Sequence, residues 1–205
     1  PRVLDGSTVL LRPLALADAE ELFEAIGGPR CDPRLFTYLM AEPPGDLEAM
    51  RAVIADAHAA PSSWPLAIVV DGRAVGMASY LRTDPQNGSI EVGNILYSPA
   101  LQRTTAATEA MHLMAEHAFA EGYRRYEWKC DSLNESSRLA ARRLGFRFEG
   151  IFRNALIYKG RTRDTAWFAF TDSDWPGVRA SFKSWLSPDN FDDDGVQVQS
   201  LVSFR

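Results

Sequence analysis

The period of apolar positions changes several times along the chain, and each change marks an element. Residues 8–12 (Thr8-Val9-Leu10-Leu11-Arg12) form a short apolar strand that Pro13 ends. Over residues 18–26, Ala19, Leu22, Phe23 and Ile26 recur at helical spacing, and Gly27-Gly28 supplies a stop. Residues 29–45 are loop-like, with Pro33, Pro43 and Pro44. They also hold Phe36, Tyr38, Leu39 and Met40, a cluster that reads either as a satellite core or as one wall of a binding pocket. Residues 46–60 return to helical spacing, with Leu47, Met50, Val53, Ile54 and Ala57 inward.

From Trp64 the chain turns to strands. Residues 66–70 are a buried run, Asp71-Gly72 is a hairpin signal, and residues 73–82 are the partner strand. A turn at 84–88, ending in Asn87-Gly88, leads to a third strand over 89–97. Ser98-Pro99 breaks it. A small-residue loop, 101–108, then runs into a long helix over 106–121, whose stripe of Ala107, Met111, Met114, Ala115 and Ala118 is core. A strand over 123–131 leads to Asn134, a good N-cap for a short helix, and Gly145 after Leu144 is a good C-terminal stop. Residues 146–158 and 163–171 read as a closing hairpin around Lys159-Gly160, and a last helix runs over 175–186. Beyond it the chain is polar and acidic through Asp192-Asp193-Asp194. Its alternating end, 196–204, is expected to be a disordered tail or an added edge strand. The organisation expected is one domain over 1–186 and a tail over 187–205, with no repeats.

With 205 residues, 46% of them hydrophobic, the chain has enough length for a sizeable α/β core. The longest apolar run is far too short to span a bilayer, and no charged-then-apolar leader opens the chain, so the cytoplasm is the expected location. Cys31 and Cys130 have no partner spacing, which supports neither a metal site nor a disulfide framework. The net charge of −5 is unevenly placed: residues 103–163 hold 12 basic and 7 acidic side chains. A basic segment in an acidic protein suits a small polyphosphate better than an extended nucleic-acid backbone, which the net charge would repel.

A strand that opens into a small-residue loop and then a helix N-terminus is a ready anion site, because unpaired N–H groups and the helix dipole point outward there. No Walker-type glycine–lysine loop is present. His58, His112 and His117 lack a metal or nucleophile spacing and receive no role.

Three motifs in order carry a resemblance. Gln102-Arg103-Thr104-Thr105-Ala106-Ala107 is similar to the Q/R-x-x-G-x-G/A pyrophosphate loop of the GNAT acyltransferase superfamily. Asn134-Glu135-Ser136-Ser137-Arg138 and Arg143-Leu144-Gly145-Phe146-Arg147-Phe148-Glu149-Gly150 resemble the N-x-x-S and LGF-x-x-EG motifs of its RimJ/RimL-like branch, the relatives of ribosomal-protein-alanine acetyltransferases. The resemblance covers about residues 10–175. It implies an α/β (α+β) acyl-CoA N-acyltransferase fold, a mixed but mostly antiparallel sheet flanked by helices, opening in a V between the 89–97 and 123–131 strands. One departure is Thr105 in place of the family's first glycine. Its Cβ resists positive φ, so the loop is expected to use ordinary backbone angles.

The resemblance also implies a chemistry: acetyl-CoA-dependent N-acetylation of a primary amine, on a protein N-terminus or a small molecule, by direct attack and without a metal. Small-amine or antibiotic acetylation and a non-catalytic CoA-sensing module are the alternatives, and a homodimer is a family analogy. The pantetheine is expected along Ile95, Leu96 and Tyr97, one of whose N–H groups would polarise the thioester. The pyrophosphate is expected on Gln102, Arg103, Thr104, Thr105, Ala106, Ala107 and Thr108. Asn134 is expected both to cap and to contact the pantetheine, with Arg138 near the phosphates. Glu91, two residues before Gly93, is the candidate base. Ser137, three after Asn134, is the candidate acid, because the superfamily's tyrosine position is Ala141 here. The leaving thiolate hardly needs a strong acid.

Overall fold

Alternation along the strands sorts side chains onto the two faces of one eight-stranded sheet, in the order β1-β2-β3-β4-β5-β6-β8-β7. The computed structural model describes residues 2–28 and 31–205; Pro1 and the first two positions of the expected 29–45 loop lie outside the described residues. The strands are β1 (Leu4–Asp5), β2 (Leu10–Pro13), β3 (Trp64–Val70), β4 (Arg73–Asp84), β5 (Ser89–Tyr97), β6 (Arg125–Asp131), β7 (Arg147–Tyr158) and β8 (Arg161–Thr171). The helices are α1 (Ala19–Ile26), α2 (Leu47–Ala59), α3 (Thr105–Ala120), α4 (Glu135–Arg143) and α5 (Trp175–Trp185). Every pairing is antiparallel except β5 with β6. A mixed, mostly antiparallel sheet flanked by helices is therefore what the chain forms.

One face is fully covered. Leu66 and Ile68 of β3, Ala78 and Tyr80 of β4, Ile90 and Val92 of β5, Tyr126 and Trp128 of β6, and Phe168 and Phe170 of β8 join α3, α4 and α5 in a single buried cluster. The Tyr80 hydroxyl donates to the Met114 carbonyl (2.7 Å) and pins α3 to the sheet. The opposite face is covered only over β2–β4, where α1 and α2 pack Leu22, Ile26, Met50 and Ile54 on Ala67, Val69 and Met77. Over β5, β6 and β8 that face carries Glu91, Lys129, Asp131, Arg163, Thr165 and Trp167, and among the described residues none of the five helices packs upon it.

Most elements fall where the apolar period puts them. The 123–131 strand begins two residues later than expected, because Gly122 (φ +88°) closes α3 and the Tyr123 N–H bonds back to the Ala118 carbonyl (3.2 Å). The tail expected to be disordered or an added edge strand is neither. It folds against α5 through short helical turns at Pro188–Asn190 and Leu201–Phe204, with a single bridge between Phe191 and Gln197. The alternation of 196–204 finds no sheet edge; Leu201 instead enters the same core as α3, while Val196, Val198 and Val202 stay exposed. Asn190 staples the fold-back. Its amide donates to the Trp185 carbonyl (3.0 Å) and the Gln199 carbonyl (3.1 Å), and its Oδ1 accepts from the Gln199 N–H (2.9 Å).

Asn190→Ala should therefore lower global stability by about 2–3 kcal/mol, since it strands buried backbone groups. Urea unfolding should show a lower midpoint at unchanged slope. An unchanged midpoint would mean that the tail is an appendage.

Candidate active site

The site begins where two parallel strands part. β5 and β6 pair from Ser89–Arg125 to Val92–Trp128 and no further. Past that point β5 follows β4, and β6 follows β8 to Asp131. A bulge in β5 opposite Ala78, with Asn94 at φ +49°, turns its last residues away; Asn is among the few side chains that accept this region readily. The Ser98 N–H points to β4, bonding the Val75 carbonyl (3.1 Å). Alternation then puts the N–H groups of Tyr97 and Ile95 on the side of the split, where β6 no longer pairs. Of the three residues expected to hold a pantetheine, Ile95 and Tyr97 thus offer donors. Leu96 turns its N–H to β4 and its side chain into the α1–α2 core.

The 101–108 loop leads from this arm into α3. Thr104 is the N-cap: its Oγ1 accepts from the Ala107 N–H (3.1 Å) and donates to the Leu101 carbonyl (2.7 Å). Thr105 and Ala106 are left as N–H groups with no intrahelical acceptor. The expectation of ordinary backbone angles in this loop is overturned. Arg103 sits at φ +63°, so the left-handed turn that the missing glycine would have eased lies at Arg103, while Thr105 is already helical. Gln102 donates from Nε2 to the Tyr97 carbonyl (3.3 Å), closing the loop on the strand. Thr108 is buried, and its Oγ1 accepts from Arg143 (3.1 Å), whose guanidinium lies over Trp185 (5.1 Å). Arg205 bonds the Arg142 carbonyl (2.8 Å) and the Arg143 carbonyl. The folded tail therefore adds Arg205 to this basic corner, a contribution that tail composition did not signal, and the end of α5 adds Trp185.

Glu91 lies on the uncovered face with 2% of its surface exposed. Its Oε2 is 3.1 Å from Lys129 Nζ and 3.6 Å from Arg82 Nε. Both cations also lie over the Trp167 ring, at 5.3 and 5.5 Å. Burial pushes the Glu91 carboxyl above its ordinary range; Lys129 and Arg82 oppose the rise without cancelling it. A carboxylate held in this way is a stronger base than one in water. Next to it, a cleft of about 410 Å³ is lined by Arg82, Arg125, Glu127, Glu149, Phe152 and Trp167. Arg125 there bridges Glu127 (2.6 Å) and Glu149 (2.5 Å).

The far arm is built by the β6–α4 turn. The Asn134 Oδ1 accepts from the Ser137 N–H (3.0 Å), so Asn134 is the N-cap of α4. The Ser137 hydroxyl accepts from the Trp128 indole N–H (3.0 Å). Ala141 is fully buried and supplies no acid. Arg138 is engaged with the Ser132 carbonyl (3.1 Å). Asp131, at the mouth, accepts from Tyr158 (2.8 Å), Arg161 (2.6 Å) and the Leu133 N–H (2.9 Å). Burial alone would raise its carboxyl, and these three donors hold it below the ordinary range; burial and Asp131 together push the Tyr158 hydroxyl up to about 12. Tyr38 reaches over this mouth to the Leu133 carbonyl (3.1 Å) and lies under Arg161 (5.8 Å), so one member of the Phe36–Met40 cluster does wall the site. Phe36 is core and Met40 is exposed. Among the described residues, no group of His, Cys, Asp and Glu is placed to hold a metal ion.

Sequence reasoning missed Lys129, Arg82, Trp167 and Trp128. A signal was there: Arg125, Glu127, Lys129 and Asp131 alternate with Tyr126, Trp128 and Cys130 along the strand.

A family model described as an acetyltransferase (GNAT) domain matches residues 8–147. The chain is 40% identical to a GCN5-related N-acetyltransferase from Brucella melitensis, over 99% of this chain and 93% of that one, with a TM-score of 0.94. It is 37% identical to a probable GNAT-family acetyltransferase from Chromobacterium violaceum, over 85% and 88% of the two chains, with a TM-score of 0.80. An acetyltransferase from Salmonella typhimurium that modifies the N-terminal serine of the 50S ribosomal protein L7/L12 shares the fold, at 19% identity over 83% and 99% of the chains and a TM-score of 0.71. No curated protein matches the chain. A sheet that splits beside a helix N-terminus, a family model spanning most of the chain, and solved structures alike in both sequence and fold make this protein a member of the GNAT acetyltransferase superfamily.

Proposed function

We propose that the protein is an acetyl-CoA-dependent N-acetyltransferase of the RimJ/RimL-like branch, which moves an acetyl group to a primary amine of a protein N-terminus or a small molecule by direct attack. One observation carries this reading. The unpaired N–H groups of α3 and the buried Glu91 flank the same split in the sheet, one on an anion-binding arm and the other on an open face.

The division of labour follows from what aminolysis of a thioester requires. Thr105 and Ala106 N–H, with Arg103, hold the pyrophosphate at the positive end of the helix dipole. Ile95 and Tyr97 N–H run along the pantetheine, and one of them stabilises the oxyanion that develops on the acyl carbonyl. Glu91 takes the amine's proton through water, its raised carboxyl suited to the task. The nitrogen forms its bond to the acyl carbon as the carbon–sulfur bond breaks, and Ser137, oriented by Trp128, gives a proton to the departing thiolate. The N-terminal serine on which the Salmonella protein acts is one acceptor class to try.

CoA should stabilise the fold by about 2.7 kcal/mol at a hundredfold excess over its Kd, read as a thermal shift. A chain that shows no shift in millimolar CoA is not an acyl-CoA enzyme. Arg103→Ala should weaken CoA by about ten- to a hundredfold and leave pantetheine nearly untouched, because the lost contact is charge-assisted. Equal losses for both ligands would make Arg103 a surface charge.

Glu91→Gln should lower kcat by about 10²- to 10⁴-fold with CoA affinity intact. In the wild type, kcat should fall as pH drops through the raised Glu91 carboxyl, since the base must be ionised; the variant should lack that limb. Its deficit should shrink at high pH, where the amine is already neutral. Ser137→Ala should cost less. A Glu91→Gln enzyme with wild-type kcat across the pH range would assign the proton transfer elsewhere.

A further inference from the structure

The uncovered sheet face carries a group of polar atoms that the protein leaves unanswered. Nine buried side-chain nitrogen or oxygen atoms have no hydrogen-bond partner among the described residues, and five of them belong to Ser79, Glu91, Arg163, Thr165 and Trp167 on this one face, the Glu91 oxygen being answered by its ion pair with Lys129. Three of the five lie on a single strand at alternate positions: Arg163 Nε, Thr165 Oγ1 and Trp167 Nε1 on β8. Their Cα atoms stand about 7 Å apart in a row, all facing one way.

Arg163 stands out among them. It is only 9% exposed, yet no carboxylate lies within ion-pair distance and its Nε has no acceptor among the described residues. The nearby carboxylates are occupied: Asp131 by Arg161, Tyr158 and the Leu133 N–H, and Asp164 by the Asn154 N–H (2.8 Å). What Arg163 does have is the Tyr158 ring, 5.7 Å from its guanidinium carbon. Stacking on a ring uses the face of a guanidinium and leaves the N–H groups at its edge for a planar partner. Burying a cation without a counter-charge is costly, so a chain that keeps one does so for a charge that arrives from outside.

Its position says which molecule brings that charge. Thr165 is paired with Asp131, the last residue of β6, and Arg163 lies one step further out. Both therefore stand at the mouth of the split, on the uncovered face. The pyrophosphate arm, with Arg103 and the α3 N-terminus, follows the other strand, β5.

We infer that Arg163 and Thr165, with Trp167 beside them, form an oxyanion subsite for the acceptor, so that the preferred substrate is an amine that also bears a carboxylate or phosphate. This rests on the N-acetyltransferase reading and adds a substrate class to it. The oxyanion takes the donors of β8 at the mouth, and the amine end points into the split. The same arginines, Arg161 and Arg163, repel a purely cationic acceptor such as a polyamine.

The test uses the full chain and three short primary amines: β-alanine, phosphoethanolamine and the uncharged β-alaninamide. Binding to the CoA-loaded protein is read from the Arg163 Nε–H resonance, assigned by its loss in Arg163→Lys. Turnover is read as free CoA released from acetyl-CoA. At least one anionic amine should move that resonance and be acetylated with a kcat/KM about ten- to a hundredfold above the amide. Which anion does so separates a carboxylate from a phosphate. Arg163→Gln should abolish the preference while keeping the CoA thermal shift, and Arg163→Lys should retain part of it. An unmoved resonance with both anions, equal turnover of the amide, or a preference that survives in Arg163→Gln overturns the subsite and leaves the acetyltransferase reading standing. A chain that CoA does not stabilise would remove both.

Discussion

Two parallel strands that stop pairing after four positions set the terms for the rest of this protein. A strand edge inside a sheet exposes N–H and C=O groups that something must satisfy, since orphaned buried backbone groups are costly. The chain creates that edge deliberately, with a bulge in β5 at Asn94, and keeps it open because β6 is drawn to the other side by seven pairs with β8. The helix that follows β5 starts just past the gap, so strand donors and helix donors lie on the same side of the sheet opening.

The second constraint is the uneven covering of the sheet. α1 and α2 bury one half of a face and stop at β4. Beyond them a polar array extends over β5, β6 and β8, held by ion pairs that share the Trp167 ring. A fully helix-covered sheet would have made these strands apolar on both sides. The buried Glu91 and the cationic mouth at Arg163 follow from this choice of layers, because both sit where no helix lands.

How much of this was legible in the sequence depended on how local the cause was. The cap at Asn134 and the stop at Gly145 are short-range signals, and the helix they bound lies where those residues put it. Arg103 was found by its place in a motif, but its left-handed backbone was not, because Thr105 drew the steric argument to the wrong position. The tail was misread because its alternation looked like a strand. Asn190 and Leu201 fold it inward instead. No motif along the chain marks Arg163 or Thr165. That Arg163 lacks a counter-charge is a tertiary fact: it depends on Asp131 having been claimed by Tyr158 and Arg161, which no spacing along the chain reveals.

Amide hydrogen exchange with and without saturating CoA addresses the central claim most directly, because the claim concerns particular N–H groups. Exchange should slow at Ile95 and Tyr97 on the strand and at Thr105 and Ala106 on the helix, while α1 and α2 on the far half of the sheet change little. Protection confined to other surfaces, with these four amides unaffected, would contradict the account.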